Sequence, residues 1–222
     1  MSKTISSVRL TKIGLFAALY VVTGFIPISI FIGSASFLAL NIVITPIIAF
    51  LLFPADALVA SLIGGIIGFY VNPGQAMFGL PSILLPIAGS TFGSLSIHAG
   101  KTGKIAGMSF LLIAIGAYLL VNYPFPFFVL PHILAFGLLS YGLLIGLTKI
   151  SVKIPVYAYI TTMCEQGMMM IFAVHLLGLP WEVFIGILPL MIFERIIATT
   201  GSTLLILALT RAYPIIIPHS YS

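Results

Sequence analysis

The chain alternates between long apolar segments and short stretches that hold most of its few charged residues. The apolar segments are continuous rather than alternating in polarity, which favours membrane-spanning helices over the strands of a β-barrel. We predict eight segments, at about 12–32, 37–53, 56–71, 76–98, 104–121, 127–148, 156–177 and 182–209. The pattern therefore predicts an all-α integral membrane protein, a polytopic bundle of transmembrane helices.

The segment lengths leave the number of crossings open between six and eight. A helix needs about 17 to 25 residues to cross a bilayer. The segments 37–53, 56–71 and 104–121 are short, and only Pro54 and Ala55 separate the first two. Those two segments form either a pair of short tilted helices or a hairpin that dips into the membrane without crossing it.

The basic residues indicate which face of the bundle is cytoplasmic. In an eight-helix arrangement every loop lysine and arginine falls on one face: Lys3, Arg9, Lys12, Lys101, Lys104, Lys149, Lys153 and Arg211. The stretches on the other face, near Ser34, 72–75, Tyr123 and 178–180, contain no lysine or arginine. Because positive loops stay inside, we expect both the N- and the C-terminus to be cytoplasmic. A hairpin that dips into the membrane leaves the same loops inside, so the charge pattern does not decide between six and eight membrane crossings.

The composition agrees with a membrane location. Hydrophobic residues make up 61% of the 222 residues and charged residues only 6%, whereas soluble domains contain about 25% charged residues. We expect a single transmembrane domain over 1–222 in the plasma membrane, surrounded by lipid. The net charge of +5 comes from basic residues scattered between apolar segments, so we expect no nucleic-acid partner.

Motifs for catalysis and for nucleotide binding are absent from the sequence. There is no GxxxxGK[ST] phosphate-binding loop, no HExxH and no GxSxG. The four histidines show no close ligand spacing, although His132 and His175 could meet on the outer side. We therefore expect no enzyme activity, no metal and no cofactor, and any ATP-driven work would need a partner chain.

Three ionisable residues stand in the middle of apolar segments. Glu165 is central in 156–177, and Glu194 and Arg195 follow Pro189 in 182–209. Each such residue costs about 2.5 to 3.5 kcal/mol on insertion scales. Successive helix positions point about 100° apart, so Glu194 and Arg195 cannot both face one neighbour. Two compatible interpretations follow: a buried Glu165–Arg195 pair that fixes helix register, or a polar site for a ligand or an ion.

Amide side chains near the outer ends of the segments extend this candidate site. Asn41 lies inside an apolar segment, where it bonds either a ligand or another helix. Asn72 and Gln75 flank Pro73 and Gly74 in a tight turn that could close over a pocket. The candidate substrate-binding residues are Asn41, Asn72, Gln75, Glu165, Glu194 and Arg195.

Small residues recur at helical spacing, which lets helices approach closely. Gly14 and Ala18 form such a pair in the first segment, and similar sets occur in the third and fourth: Gly64, Gly65, Gly68, Gly89 and Gly93. These residues serve either packing within the chain or docking of another membrane subunit.

Three stretches together resemble the substrate-binding (S) component of energy-coupling-factor vitamin transporters. They are RLTKIGLFAALYVV, FLALNIVITPIIAFLLFPADALVASLIGGIIGFYV and ILPLMIFERIIATTGSTLL. The first has a basic start and small residues four apart. The second is similar to the family's second and third helices, which meet at a tight junction. The third is similar to its last helix, in which polar positions follow a proline.

The resemblance implies a six-helix bundle that binds a vitamin-like micronutrient near the outer face, under the loop after the first helix. It implies docking, through small residues of the first helix, onto a membrane coupling protein driven by two ATPase subunits. By position, Gly14 and Ala18 correspond to the docking residues, and Asn41, Glu194 and Arg195 to ligand-side residues. The chain differs in having two additional hydrophobic segments within 126–177, a short region after the first helix, and glycine rather than alanine at the first small position.

From the residues and the resemblance we expect a membrane transport protein that binds a small polar solute, with partner subunits supplying ATP hydrolysis. In this interpretation Arg195 pairs with an anionic group of the solute and Glu194 tunes it. The alternative is a non-catalytic accessory subunit of a multi-subunit membrane complex, in which the Glu–Arg set is purely structural.

Overall fold

A computed structural model describes residues 7–30 and 37–212. Lys3, Ile32 and Ser34, which enter the predicted topology and segment bounds, lie outside these residues. The described chain forms eight α-helices: α1 Ser7–Thr23, α2 Ile44–Leu51, α3 Pro54–Val71, α4 Leu84–His98, α5 Gly100–Asn122, α6 Leu130–Leu144, α7 Ile150–His175 and α8 Trp181–Ala212. The predicted all-α bundle is confirmed.

Short irregular elements connect the helices at one end of the bundle. An antiparallel hairpin pairs β1 (Pro27–Ile30) with β2 (Phe37–Ala39). Four 3₁₀ turns cover Leu40–Val43, Pro73–Gln75, Leu80–Ile83 and Pro126–Val129. Except for Leu40–Val43, which leads straight into α2, these elements lie at the end that the charge pattern predicts to be outside.

Five of the described helices are long and apolar enough to cross a membrane. They are α3, α5, α8, and α4 and α6 taken with their preceding 3₁₀ turns, which gives Leu80–His98 and Pro126–Leu144. The protein is therefore a helical membrane protein. The apolar stretch Leu40–Leu51 consists of a 3₁₀ turn followed directly by α2. It is too short to belong to this group.

Two predicted segments differ from the structure at the hairpin. The segment 12–32 was expected to be helical throughout, but α1 ends at Thr23 and β1 begins at Pro27. Gly24 disfavours helix, and Pro27 has no backbone N–H to continue it. In the segment 37–53, the first three residues form β2 and only Ile44–Leu51 form α2.

The short helix α2 lies inside the protein, and all eight of its residues are buried. Its C-terminal carbonyl groups need partners, because lipid supplies none. The Ser94 hydroxyl of α4 donates a 2.7 Å hydrogen bond to the carbonyl oxygen of Leu52. Nε2 of His98 lies 3.1 Å from the carbonyl oxygen of Ala49. These contacts from α4 let α2 end within the bundle.

The helix α7 is central and packs against α2, α4, α5, α6 and α8. Its approach to α4 depends on Gly89 and Gly93. A Cβ atom at Gly93 would lie 2.8 Å from Cγ2 of Thr161 and clash with its hydroxyl group. These glycines therefore serve packing within the chain.

At the opposite end of the bundle from the hairpin, an ion pair holds α1 against α3. Nε of Arg9 donates hydrogen bonds of 2.7 and 2.8 Å to the two carboxylate oxygens of Asp56. Asp56 lies in the first turn of α3, where a negative charge also favours the helix dipole. One of the predicted cytoplasmic basic residues thus has a structural role.

Candidate functional site

A cavity of about 40 Å³ lies beneath the hairpin at the outer end of the bundle. Three candidate residues line it although they come from distant parts of the chain: Asn41 from the turn before α2, Gln75 from the turn after α3, and Glu165 from α7. The remaining lining residues are mostly apolar and include Tyr20, Leu38, Met77 and Met169. The fold therefore collects three of the six predicted binding residues around one cavity.

Asn41 and Gln75 contact each other directly. Nδ2 of Asn41 donates a 2.6 Å hydrogen bond to Oε1 of Gln75. This bond orients the Gln75 amide, whose buried Nε2 has no hydrogen-bond partner among the described residues. Buried polar atoms normally have partners, so an orphaned donor at a cavity wall is a candidate ligand contact.

Asn72 does not line this cavity. Its Nδ2 donates a 2.9 Å hydrogen bond to the carbonyl oxygen of Gly24, at the end of α1. Asn72 therefore ties the turn after α3 to the start of the connection into the hairpin. The tight turn expected around Pro73 is present as the 3₁₀ turn Pro73–Gln75.

Glu165 reaches the cavity from ten residues before the end of α7 at His175, which is about 15 Å along the helix. Its side chain is buried, and Oε2 has no hydrogen-bond partner within the described part of the chain. Gly89 of α4 makes room beside it, since a Cβ atom there would lie 2.9 Å from Cβ of Glu165. Oε2 of Glu165 is therefore a buried acceptor without a partner among the described residues.

A second cavity, of about 30 Å³, is lined by Gln166 and Glu194. It shares the lining residues Leu38, Met77 and Met169 with the first cavity, so the two cavities are neighbours. Oε1 of Gln166 is buried and lacks a hydrogen-bond partner among the described residues. Sequence reasoning missed Gln166, although its position next to Glu165 in an apolar helix is a usable indication.

Arg195 lines neither of the two small cavities. Its side chain is 2% exposed, and Nη1 donates a 3.2 Å hydrogen bond to the carbonyl oxygen of Thr162. Nη2 lies 3.9 Å from Oε2 of Glu194. Arg195 also lines a third, mostly apolar groove of about 750 Å³ between α6 and α8, on the surface of the bundle. Arg195 therefore lies apart from the cavity that collects Asn41, Gln75 and Glu165.

The Glu165–Arg195 pair, one of the two interpretations of the sequence, is not formed within residues 7–30 and 37–212, where Arg195 instead pairs with Glu194. Arg195 bonds Thr162, almost one turn before Glu165 on α7, whereas Glu165 faces α4. The 100° step between successive helix residues explains why Glu194 and Arg195 reach different cavities.

The candidate docking residues lie on an open surface. Gly14 and Ala18 are both exposed on α1, and nothing lies within 4 Å of a Cβ atom built at Gly14. The opposite face of α1 packs against α3, where Gly64 accommodates Tyr20. The two small residues thus take no part in packing within the described chain.

The histidines do not build a metal centre in the described residues, which contain no group of three or more metal-ligating side chains. His132 is fully buried in α6, whereas Nε2 of His175 lies 3.0 Å from the carbonyl oxygen of Ala117.

Comparison of the chain with protein-family models, curated proteins and solved structures finds no match.

Proposed function

We propose that the protein is the solute-binding subunit of a membrane transport system. It binds a small polar solute in the two cavities beneath the hairpin, takes it up across the plasma membrane, and depends on partner subunits for energy. The observation that carries the proposal is the convergence of Asn41, Gln75 and Glu165 on one cavity in which Gln75 Nε2 and Glu165 Oε2 lack protein partners. Such a pocket, apolar with a few convergent polar groups, is typical of small-molecule sites.

The cavities of about 40 and 30 Å³ are too small for a solute of vitamin size. Met77 and Met169 line both, and methionine side chains adopt many conformations at low cost. In the proposal, movement of these two side chains and of Leu38, which also lines both cavities, merges the two. Solute binding therefore selects an opened form of the outer end of the bundle.

The energy source lies outside this chain in the proposal. The sequence has no phosphate-binding loop, and α1 presents Gly14 and Ala18 on an exposed apolar face. Small residues four apart are typical of close helix contacts in membranes. We assign this face to a membrane coupling protein that carries ATPase subunits, as the resemblance to S components implies.

The test is to fill the first cavity without disturbing the fold. A Cβ atom at Gly68 would lie 3.8 Å from Nε2 of Gln75, an ordinary contact distance, so a longer side chain there grows into the cavity. We expect Gly68→Leu to abolish solute retention. The matched control is Gly137→Leu, because nothing lies within 4 Å of a Cβ at this exposed glycine of α6.

The measurement is native mass spectrometry of gently solubilised protein purified from its own cells, combined with uptake of the solute it identifies. Wild type and Gly137→Leu should retain a small molecule, and Gly68→Leu should not. Wild-type protein that retains no solute, and is instead recovered in a complex with redox or secretory subunits, would support the accessory-subunit alternative.

A further inference from the structure

The bundle interior around the two small cavities carries unbalanced charge. Among the described residues, its buried acidic and basic side chains are two carboxylates, Glu165 and Glu194, one guanidinium, Arg195, and His132. Asp56 is also buried, but it pairs with Arg9 at the start of α3, the end of that helix away from the two cavities. With both carboxylates ionised and His132 neutral, one negative charge remains uncompensated. A buried charge without a counter-charge is strongly unfavourable, so a bound cation would stabilise this arrangement.

The position of Arg195 decides where the uncompensated charge lies. Its Nη2 is 3.9 Å from Glu194, whereas Glu165 has no ion-pair partner within 4.0 Å among the described residues. Arg195 lines the groove between α6 and α8 and neither of the two small cavities. Among the residues that the structure describes, no lysine or arginine lines these cavities. An anionic solute would therefore meet a carboxylate without a facing cation.

The orphaned polar atoms around the cavities are mainly acceptors. Oε2 of Glu165 and Oε1 of Gln166 accept hydrogen bonds, and Nε2 of Gln75 is the only orphaned donor among the described lining atoms. A ligand that satisfies this set carries N–H donors toward Glu165 and Gln166 and one acceptor atom toward Gln75. The methionine and leucine side chains between the cavities suit an apolar body.

A metal cation fits these walls less well than an organic one. The described residues contain no group of three or more His, Cys, Asp or Glu side chains that could ligate a metal. The first cavity offers one carboxylate, and the Asn41 and Gln75 amides already bond each other. Amide and carboxylate groups set apart by apolar side chains instead match a molecule with separate polar ends.

We propose that the solute is a small organic cation with N–H donors, whose charged group binds Glu165 between α4 and α7. This inference rests on the proposed solute-binding function and specifies its substrate class. Glu165 supplies the counter-charge, Gln166 accepts a second N–H, and the Asn41–Gln75 pair contacts the uncharged end. Arg195 balances Glu194 and takes no part in charge recognition.

Isosteric probes that differ in charge test the inference. Acetamidinium, acetamide and acetate share one shape, as do benzamidinium, benzamide and benzoate. Their binding to detergent-solubilised protein is followed by the shift in thermal unfolding temperature and by native mass spectrometry. We expect the amidinium member of a series to bind at least 10-fold more tightly than its amide and carboxylate counterparts. Sodium, calcium and zinc ions, tested alone, should not compete.

Two glutamate variants locate the counter-charge. Glu165→Gln keeps the size of the side chain, removes its charge, and should weaken amidinium binding at least 10-fold. Glu182→Gln makes the same chemical change at an exposed position in the first turn of α8 and should bind within twofold of wild type. Glu165→Asp keeps the charge and should retain the preference for the amidinium at lower affinity, which separates charge recognition from misfolding.

The outcomes separate this inference from the proposed function. Preferential binding of an amide, a carboxylate or a metal ion, or unchanged amidinium affinity in Glu165→Gln, overturns the cation assignment and leaves solute binding intact. Failure of wild type to bind any probe or to retain any cellular solute overturns both.

Discussion

The side-chain amide of Asn41 donates a 2.6 Å hydrogen bond to Oε1 of Gln75, which joins the turn before α2 to the turn after α3 across the outer cavity. The two residues are 34 positions apart in the sequence. Each lies in a short 3₁₀ turn rather than in a long helix. The bond therefore orients an amide whose remaining donor, Nε2, faces the proposed solute.

Removing this bond should weaken solute binding more than removing a similar bond nearby. In Asn41→Ala the Gln75 amide loses its orientation, and a hydrogen bond of this kind contributes about 1 kcal/mol, or about fivefold in affinity. Asn72→Ala removes the 2.9 Å bond to Gly24 outside the cavity. It should lower thermal stability but leave the dissociation constant within twofold of wild type. Equal affinity losses in both variants, measured by titration with the co-purified solute, would contradict this division of roles.

The α4–α7 contact should be sensitive to a single methyl group. In Gly93→Ala the new Cβ would lie 2.8 Å from Cγ2 and 2.9 Å from Cβ of Thr161, so the helices must separate or Thr161 must shift. Overpacking of this kind costs about 1 to 3 kcal/mol. The control Gly137→Ala adds the same methyl group in open space on α6. We expect unfolding in a denaturing detergent to occur at lower denaturant for Gly93→Ala alone, and equal midpoints would show that α7 has room to move.

Arg195 should matter for stability because it is a buried cation beside a buried carboxylate. Arg195→Gln leaves Glu194 without the guanidinium 3.9 Å away, and loss of one member of a buried pair costs about 3 to 5 kcal/mol. The exposed Arg211→Gln, in the last turn of the same helix, should be nearly neutral.

The double variant Glu194→Gln, Arg195→Gln tests the origin of that loss. If the uncompensated carboxylate is the cause, the double variant should recover part of the free energy of unfolding that Arg195→Gln loses. A double variant no more stable than Arg195→Gln would instead assign the effect to the lost hydrogen bond with Thr162.

The sequence predicted the helices well and their outer connections poorly. The apolar runs gave eight helical segments because each is continuous and bounded by polar or proline-containing stretches. The residues from Pro27 to Ile30 remained inside the first predicted helix because PISI is as apolar as the helix before it, and hydropathy alone does not separate a short strand from a helix.

The candidate site was predicted in part, because sequence gives the depth of a polar residue but not its direction. Glu165, Glu194 and Arg195 were identified by their charge within apolar segments. Which cavity each one lines depends on helix rotation, and rotation depends on contacts such as Gly89 against Glu165. Gln166 escaped notice because an uncharged amide beside a glutamate adds little to a hydropathy pattern.

The exposed small-residue face of α1 should be required for assembly with partner subunits but not for solute binding. Gly14→Leu combined with Ala18→Leu places two bulky side chains on this face, where Gly14 has no neighbour within 4 Å of its Cβ position. The bundle should therefore fold and retain its solute, while co-purification of ATPase subunits and uptake are lost. Gly137→Leu, on an exposed face of α6, should leave both unchanged. Normal uptake in the double leucine variant would assign this face to lipid.

The orientation in the membrane predicts that Lys101 and Tyr123, at opposite ends of α5, lie on opposite sides. Both are exposed, and Cys164, the single cysteine of the chain, is buried. Single cysteines at these positions in a Cys164→Ala background can therefore be labelled selectively. Because basic loops stay inside, a membrane-impermeant maleimide should label Tyr123→Cys in intact cells and Lys101→Cys only after permeabilisation. The reverse pattern would place the hairpin and both small cavities on the cytoplasmic side, which is incompatible with capture of a solute from outside.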